Sequence, residues 1–263
     1  MLNIGIYSRN FLLRTISSII LITLALLLNN LGGYFFLFSI ILLLFIVLKE
    51  YYQLFSIKVV SFKYFINFCL ILIILLIIFF KFYLLIFFLL LLGLLITIIL
   101  EKKKWTAAAF TYIYLGIPLY ILLYLNNSAT DGKIIITWLF VIVWSSDISA
   151  YIFGKLIKGP KLVPKLSPNK TWSGFFASLI FSVTASIAFV SYYNIFSFKK
   201  ALYFGAIVGL FCALGDLFES WLKRYNSKKD TSNLIPGHGG LLDRLDGFLF
   251  AIVAIYLLLF FWS

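Results

Sequence analysis

The chain contains few of the residues that soluble proteins use for cross-links, metal sites and turns. Its 263 residues include two cysteines, one histidine, one methionine and five prolines, and only nine residues are acidic. Cys69 and Cys212 each lie inside an apolar stretch, and two such residues provide neither a disulfide framework nor the spacing of a cysteine zinc site. We therefore expect both to be buried apolar side chains, and the composition excludes disulfide-rich and zinc-finger proteins.

Charged residues are also scarce. They make up 12% of the chain, whereas 63% of the residues are hydrophobic and 20% are aromatic, and the mean hydropathy is +1.10. A soluble core of this length cannot remove so much apolar surface from water. The sequence therefore predicts an all-α, polytopic integral membrane protein in a lipid bilayer.

The polar breaks divide the chain into apolar segments of membrane-spanning length. A spanning helix needs about 20 mostly apolar residues, and we predict about nine of them. They lie near residues 12–29, 31–48, 60–80, 82–100, 105–125, 133–153, 172–193, 200–222 and 246–262. The first two could instead form a re-entrant hairpin, and the break at Lys81 is left open.

The net charge of +13 has a simpler explanation than nucleic-acid binding, which we do not expect. With a cytoplasmic N-terminus, the inner segments hold 18 of the 22 basic residues and the outer segments hold four. Cytoplasmic loops normally carry this basic excess. Both long polar loops are therefore predicted to be cytoplasmic, with the C-terminus outside. Arg9 and Arg14 resemble the start of a signal peptide, but no small-residue cleavage site follows Leu28, so we predict an uncleaved first helix.

Acidic residues divide the chain into two parts. Residues 1–130 are nearly featureless apolar helices, and up to this boundary the only acidic residues are Glu50, Glu101 and Asp131. We predict that this part is a transmembrane scaffold and that residues 131–263 form the catalytic region. Four of the five prolines lie in the two long polar loops of the second part, where they restrict the backbone.

Carboxylates inside the apolar segments mark the candidate site. Asp147 and Asp216 each lie within a predicted span, where an ionisable residue costs about 2.5 kcal/mol or more and normally faces the protein interior. Asp243 and Asp246 are three residues apart and share a helix face. Carboxylates from two helices suit Mg²⁺, and zinc is not expected with one histidine and no cysteine nearby. We predict that Asp216, Asp243 and Asp246 bind Mg²⁺, with a second cation such as K⁺ left open.

Polar side chains lie on the same helix face as Asp216. Ser220 and Lys223 follow it at helical spacing. Small residues continue this face toward the other end of the helix and would let another helix approach closely. They are Gly205, Gly209 and Ala213. The alternative to a metal site is an internal salt bridge from Asp216 to Lys223 or Arg244.

Arginine and glycine usage indicates phosphate binding. The chain has 18 lysines and four arginines, and two of the four are Arg224 and Arg244. A guanidinium group binds phosphate with two parallel hydrogen bonds, although chance and topology are the alternative. The turn that contains His238, Gly239 and Gly240 could present backbone amides and an imidazole to a phosphate, or it could be an ordinary turn.

The loop from Gly154 to Thr171 carries five lysines and no acidic residue. One interpretation is a cytoplasmic segment attracted to anionic headgroups, worth about 1 kcal/mol per basic residue near the membrane surface. The other is a lid over a triphosphate, with Ser167, Asn169, Lys170 and Thr171 facing the site. The residues alone favour neither interpretation.

The polar C-terminal segment closely resembles the signature of the phosphatidate cytidylyltransferase family. The matching residues are Ser220, Leu222, Lys223, Arg224, Lys229, Asp230, Ser232, Ile235, Pro236, His238, Gly239, Gly240, Leu241, Asp243, Arg244, Leu245 and Asp246. The match extends upstream over residues 214–220, and a second similar block runs from Asp147 to Trp172. Ser173 departs from the pattern, because family members often have Glu or Gln at this position.

The resemblance implies an enzyme that condenses CTP with phosphatidic acid to give CDP-diacylglycerol and pyrophosphate. It also implies Mg²⁺, a homodimer, and a bacterial inner membrane with the active site facing the cytoplasm. The family's paired metal-binding aspartates match Asp216 and Asp243. We expect Lys223, Arg224 and Arg244 to hold the anionic substrates and His238 to contact pyrophosphate. Further substrate contacts are expected from Asp147, Ser167, Lys170, Thr171, Ser220, Lys229, Asp230, Gly239 and Gly240.

Other functions explain less of the chain. A membrane transporter or lipid scramblase could use Asp147 and Asp216 as pathway residues, but it would leave the polar C-terminal segment unexplained. A CDP-alcohol phosphotransferase would require a D-G-x2-A-R run that is missing here. An enzyme that cytidylylates archaeal ether lipids remains open on chemistry alone.

Overall fold

A computed structural model describes residues 2–57, 62–80, 84–100, 104–128, 131–235 and 239–262. These residues form ten α-helices, one π-helical turn and one two-stranded sheet. The helices are α1 (Leu2–Leu31), α2 (Gly33–Leu54), α3 (Phe62–Phe79), α4 (Leu84–Leu100), α5 (Trp105–Thr111), α6 (Ile117–Ser128), α7 (Gly132–Leu156), α8 (Trp172–Tyr193), α9 (Phe198–Tyr225) and α10 (Leu242–Phe261). The π-helical turn, Tyr112–Gly116, joins α5 to α6.

Six helical segments in the described part of the chain are long and apolar enough to cross a membrane. They are Gly33–Leu54, Trp105–Asn127, Gly132–Leu156, Trp172–Tyr193, Phe198–Tyr225 and Leu242–Phe261. Shorter apolar stretches occupy Thr15–Leu31 and Tyr64–Ile77. The structure is consistent with the predicted helical membrane protein, but it does not confirm nine spans. The break expected at Lys81 lies outside the described residues.

The helices and loops divide into two compact units. The first comprises the chain up to Lys133 together with Lys228–Arg244, and the second comprises Ile134–Ser227 together with the chain from Leu245 onward. The 228–244 segment therefore folds with the N-terminal helices. The division into a scaffold and a catalytic region near residue 130 stays a prediction.

A buried hydrogen-bond network lies in the first unit. Asn67 donates to the Tyr52 hydroxyl oxygen at 2.6 Å and accepts from Thr97 at 2.6 Å and from Tyr112 at 3.0 Å. Asn67 and Thr97 have no exposed surface. Burying a polar group is costly unless it is hydrogen-bonded, and these partners remove that cost.

The helices α7, α8 and α9 pack together in the second unit. Trp138 of α7 is fully buried, donates its indole N–H to Ser186 Oγ at 3.2 Å, and stacks on Phe204. Ser186 in turn donates to the Ala201 carbonyl oxygen at 2.6 Å. These hydrogen bonds satisfy the buried polar atoms at the contact between α7, α8 and α9.

The basic loop before α8 contains a short antiparallel hairpin of β1 (Lys161–Val163) and β2 (Ser167–Thr171). Lys161 pairs with Thr171, and Val163 pairs with Ser167. The all-α prediction is therefore right for the spans but omits this hairpin. Thr171 ends β2 and is also the N-cap of α8, because its hydroxyl accepts a hydrogen bond from the Gly174 amide at 3.2 Å.

Candidate functional site

An acidic cluster lies in the second unit. Asp147 on α7, and Cys212 and Asp216 on α9, each place a potential ligand atom within 4.8 Å of the others. Asp246 on α10 interacts electrostatically with both Asp147 and Asp216. Three helices therefore bring carboxylates together, and the Mg²⁺ role of Asp216, Asp243 and Asp246 stays a prediction.

Two glycines allow this approach between α9 and α10. A Cβ on Gly215 would lie 2.5 Å from the Asp246 carbonyl oxygen, and a Cβ on Gly247 would lie 2.9 Å from Asp216 Oδ1. Real side chains do not tolerate such distances, so only glycine lets the two backbones and their carboxylates come this close.

The cysteine prediction needs a correction. Cys212 is buried, as expected, but its Sγ lies 3.7 Å from Asp147 Oδ1. No cysteine was expected near the carboxylates. Cys212 is four residues before Asp216, however, so one helical turn puts both on the same face of α9. Cys69 is partly buried.

The basic hairpin reaches the acidic cluster through one lysine. Lys170 on β2 donates to Asp216 Oδ2 at 2.9 Å, and both side chains keep some exposure to solvent. This contact brings a residue of the predicted triphosphate lid to a predicted metal ligand. It also differs from the alternative considered above, in which Asp216 would pair with Lys223 or Arg244.

Lys223 has a different carboxylate partner. Its Nζ lies 3.1 Å from Glu219 Oε1, one helical turn earlier, and Glu219 has no exposed surface. Breaking a buried ion pair leaves an uncompensated charge, so this contact holds the ammonium group in place. Arg224 is exposed and donates from Nε to the Leu166 carbonyl oxygen at 3.3 Å, which ties the end of α9 to the hairpin.

Two polar residues at the junction between β2 and α8, Thr171 and Ser173, have structural roles. Thr171 is buried and is used as the helix cap, although it was predicted to bind substrate. Ser173, the position that departs from the family pattern, lies 3.0 Å from Thr171 Oγ1 and donates to the Lys158 carbonyl oxygen. Both hydroxyl groups therefore stabilise the loop that carries Lys170.

Asp243 has its own set of contacts in the first unit. It is 7% exposed, and its Oδ2 accepts from the Thr231 amide at 2.9 Å, the Thr231 hydroxyl at 2.9 Å and the Gly240 amide at 2.8 Å. These three donors give the buried carboxylate oxygen the hydrogen bonds that it would otherwise make with water. The Gly240 amide, which was predicted to face a phosphate, thus binds a carboxylate of the chain itself.

Sequence reasoning missed Glu50, which it assigned to the scaffold. This residue of α2 is 3% exposed and contacts the 228–244 segment. One sequence signal could have indicated such a partner. The residues before α10 are Gly240 and Leu241, so no side chain of the usual N-cap types is present to accept from the first amides of the helix.

The remaining predicted residues lie mainly on the surface. Lys229, Asp230 and Arg244 are exposed, whereas Ser167 and Ser220 are partly buried. Gly239 has a φ of +84°, a conformation that favours glycine. His238 lies outside the described residues. The roles predicted for these side chains stay predictions.

A family profile matches most of this chain, and individual known proteins match just over half of it. The profile of the cytidylyltransferase family matches residues 12–262. The phosphatidate cytidylyltransferase of Brucella melitensis biotype 1 is 39% identical over 153 residues, which is 58% of this chain and 56% of that protein. The phosphatidate cytidylyltransferase of Staphylococcus saprophyticus is 40% identical over 139 residues, 52% of this chain and 53% of that protein. The matched region thus spans just over half the length of these relatives.

Proposed function

Because this chain belongs to the cytidylyltransferase family, we propose that it transfers the cytidylyl group of CTP to phosphatidic acid. The products are CDP-diacylglycerol and pyrophosphate. The observation that carries the proposal is the cluster of Asp147, Asp216 and Asp246 with Lys170 in the second unit. Carboxylates and an ammonium group at one place suit a metal-assisted reaction between two phosphate compounds.

The reaction makes modest demands on acid–base chemistry. A phosphate oxygen of phosphatidic acid forms a bond to the α-phosphorus of CTP, the bond from that phosphorus to the bridging oxygen breaks, and pyrophosphate leaves with the electron pair. The attacking oxygen is already anionic, so no general base is needed. Alignment and charge stabilisation must therefore supply most of the rate.

The donor atoms of the cluster fit Mg²⁺. Asp147, Asp216 and Asp246 offer hard carboxylate oxygens, which Mg²⁺ prefers, whereas the Cys212 thiol is a softer group that it does not use. We propose that Asp216 and Asp246 hold the ion and that Asp147 assists. When bound, Mg²⁺ would neutralise phosphate charge. A metal role for Asp243 rests on the family resemblance alone.

The basic residues have distinct roles in this proposal. Lys170 lies against Asp216, and we expect its ammonium group to bind a CTP phosphate oxygen. Lys223 lies on the same helix as Asp216. Its contact with Glu219 holds the ammonium group in a position to bind the second anionic substrate. Arg224, Arg244 and His238 remain predicted substrate contacts from the signature.

A reconstituted assay tests the reaction. Purified protein with labelled CTP, phosphatidic acid and Mg²⁺ should release pyrophosphate only when the lipid is present, and chelation of Mg²⁺ should stop the release. Asp216→Asn should lower turnover by about 100-fold or more, because it removes charge at the reacting phosphates. The control Asp131→Asn changes an exposed carboxylate and should keep normal turnover.

Two outcomes would contradict the proposal at different points. Normal turnover of Asp216→Asn at ordinary Mg²⁺ concentration would remove the metal assignment. Absence of lipid-dependent pyrophosphate release from the unmodified protein would remove the reaction itself and favour the transporter or scramblase alternative.

The membrane placement belongs to the same proposal. We propose that the two polar loops face the cytoplasm of a bacterial inner membrane, because CTP is available there and the basic residues favour that side. The homodimer expected from the resemblance stays a prediction.

A further inference from the structure

We propose that Glu50 is a positioning residue whose buried carboxylate holds the 228–244 segment in the conformation required for cytidylyl transfer. The segment carries Asp243 and Arg244 of the signature. The kinetic part of this proposal rests on the proposed function, whereas the structural part rests on contacts within the first unit.

The Glu50 carboxylate accepts three hydrogen bonds from one segment, and a fourth donor group lies within reach. Oε1 accepts from the Ser232 hydroxyl at 2.6 Å and from the Leu241 amide at 3.0 Å. Oε2 accepts from the Leu242 amide at 2.7 Å and lies 3.4 Å from the Thr231 hydroxyl. Both ends of the 231–242 loop therefore converge on one side chain of α2.

The start of α10 explains why a charged acceptor is suitable here. The first amides of a helix have no partner inside the helix and lie at the positive end of its dipole. Leu241 and Leu242 supply two such amides, and both donate to the Glu50 carboxylate. Glu50 of α2 therefore supplies the hydrogen-bond acceptor that a Ser or Asp side chain at the N-cap usually supplies.

Glu50 and Asp243 share the donors of the loop. Three consecutive amides are divided between them, since Gly240 donates to Asp243 whereas Leu241 and Leu242 donate to Glu50. The Thr231 hydroxyl lies within reach of both carboxylates but has one hydrogen to donate. Displacement of Glu50 would therefore move the groups that orient Asp243.

Glu50→Gln is the sharpest variant because it preserves the shape of the side chain. A glutamine places an NH₂ group where one carboxylate oxygen was. In one orientation the NH₂ group faces Leu241 and Ser232, and in the other it faces Leu242 and Thr231. In either orientation the NH₂ group faces a backbone N–H group, so neither can accept from the other. The backbone amide of Leu241 or Leu242 then loses its hydrogen-bond acceptor. Glu50→Asp keeps the charge but shortens the side chain.

Asn67→Ala is the matched control. Asn67 is a buried polar residue of the same unit, and its hydrogen-bond partners Tyr52, Thr97 and Tyr112 lie outside the 228–244 segment. This variant should lower stability without changing the segment. It therefore separates a general loss of stability from a loss of positioning.

Hydrogen–deuterium exchange measures the positioning without reference to the reaction. In the full-length protein, peptides that cover residues 239–246 should exchange about tenfold faster in Glu50→Gln than in the unmodified protein. Asn67→Ala should leave the exchange of these peptides unchanged. Unchanged exchange in Glu50→Gln would overturn the proposal, and Glu50→Asp provides the same test if the glutamine variant does not fold.

Kinetics then test the consequence for catalysis. In the folded fraction, Glu50→Gln should lower kcat by about tenfold or more, with a much smaller change in KM for CTP, because misplaced groups lose stabilisation of the transition state. Glu50→Asp should recover part of kcat. An equal loss of kcat in Asn67→Ala would contradict a positioning role. If the unmodified protein releases no pyrophosphate, the proposed reaction is wrong, and the exchange result still decides whether Glu50 holds the segment.

Discussion

Gly240 lies where the chain has no room for a side chain. A Cβ at this residue would lie 2.1 Å from Thr231 Oγ1 and 2.8 Å from Glu50 Oε2. The glycine turn was predicted to bring backbone amides to a phosphate. In the structure, the absence of a side chain at Gly240 also lets the Glu50 carboxylate and the Thr231 hydroxyl approach the backbone.

Gly240→Ala should therefore destabilise the first unit and reduce turnover. Forcing a methyl group into this contact should cost about 1–3 kcal/mol and displace the Thr231 hydroxyl. The control is Gly116→Ala, because a Cβ there would meet its nearest atom, the Thr111 carbonyl oxygen, at 3.8 Å. Thermal unfolding in detergent and pyrophosphate release measure the two effects. Equal melting temperatures for the two variants would contradict the prediction.

Among the described helices, α8 and α9 pack closely through small residues. A Cβ on Gly205 would lie 2.8 Å from Ser186 Cβ, and one on Gly209 would lie 2.1 Å from Ser182 Oγ. The sequence predicted that these glycines admit another helix, and the structure identifies α8 as that helix. Close backbone contact stabilises helix pairs in lipid, because burial of apolar side chains gives little advantage there.

Gly209→Val should separate α8 from α9 and destabilise the second unit. We expect a loss of about 1–3 kcal/mol in the free energy of unfolding, because the added methyl groups cannot be accommodated at Ser182. Ala188→Val adds volume on the exposed face of α8 and is the control. Thermal unfolding in detergent measures the difference. A Gly209→Val variant as stable as Ala188→Val would show that the two helices separate without cost.

For the whole molecule, the distribution of basic residues predicts which loops face the cytoplasm. Lys161 in the hairpin and Lys199 near the start of α9 lie on either side of α8, which is apolar and long enough to span. If α8 crosses the membrane, these two residues lie on opposite sides. The basic excess assigns Lys161 to the cytoplasmic side.

Cysteine labelling tests this topology. In a background of Cys69→Ala and Cys212→Ala, an impermeant maleimide should label Lys161→Cys only in inside-out vesicles. Lys199→Cys should be labelled only in right-side-out vesicles. Both lysines are exposed, so access should depend on the side of the membrane. Labelling of both variants from the same side would contradict the predicted arrangement.

Much of the second unit could be predicted because its signals are local. Helical spacing grouped Asp216, Ser220 and Lys223, and apolar segment length located the spanning helices, although not their number. Cys212 could have been placed beside Asp216 by the same spacing. The hairpin was harder to predict, because β1 has only three residues and β2 contains Pro168, so both strands carry little β signal.

The sequence by itself determined the membrane class, the family and most of the charged residues that are candidates for the site. Composition and short-range spacing carry that information. Only the tertiary structure decided that Lys170 meets Asp216 and that Glu50 binds residues more than 180 positions later in the chain. These contacts depend on how separate helices and loops pack. No periodicity in the sequence encodes which distant amides a single buried carboxylate will accept.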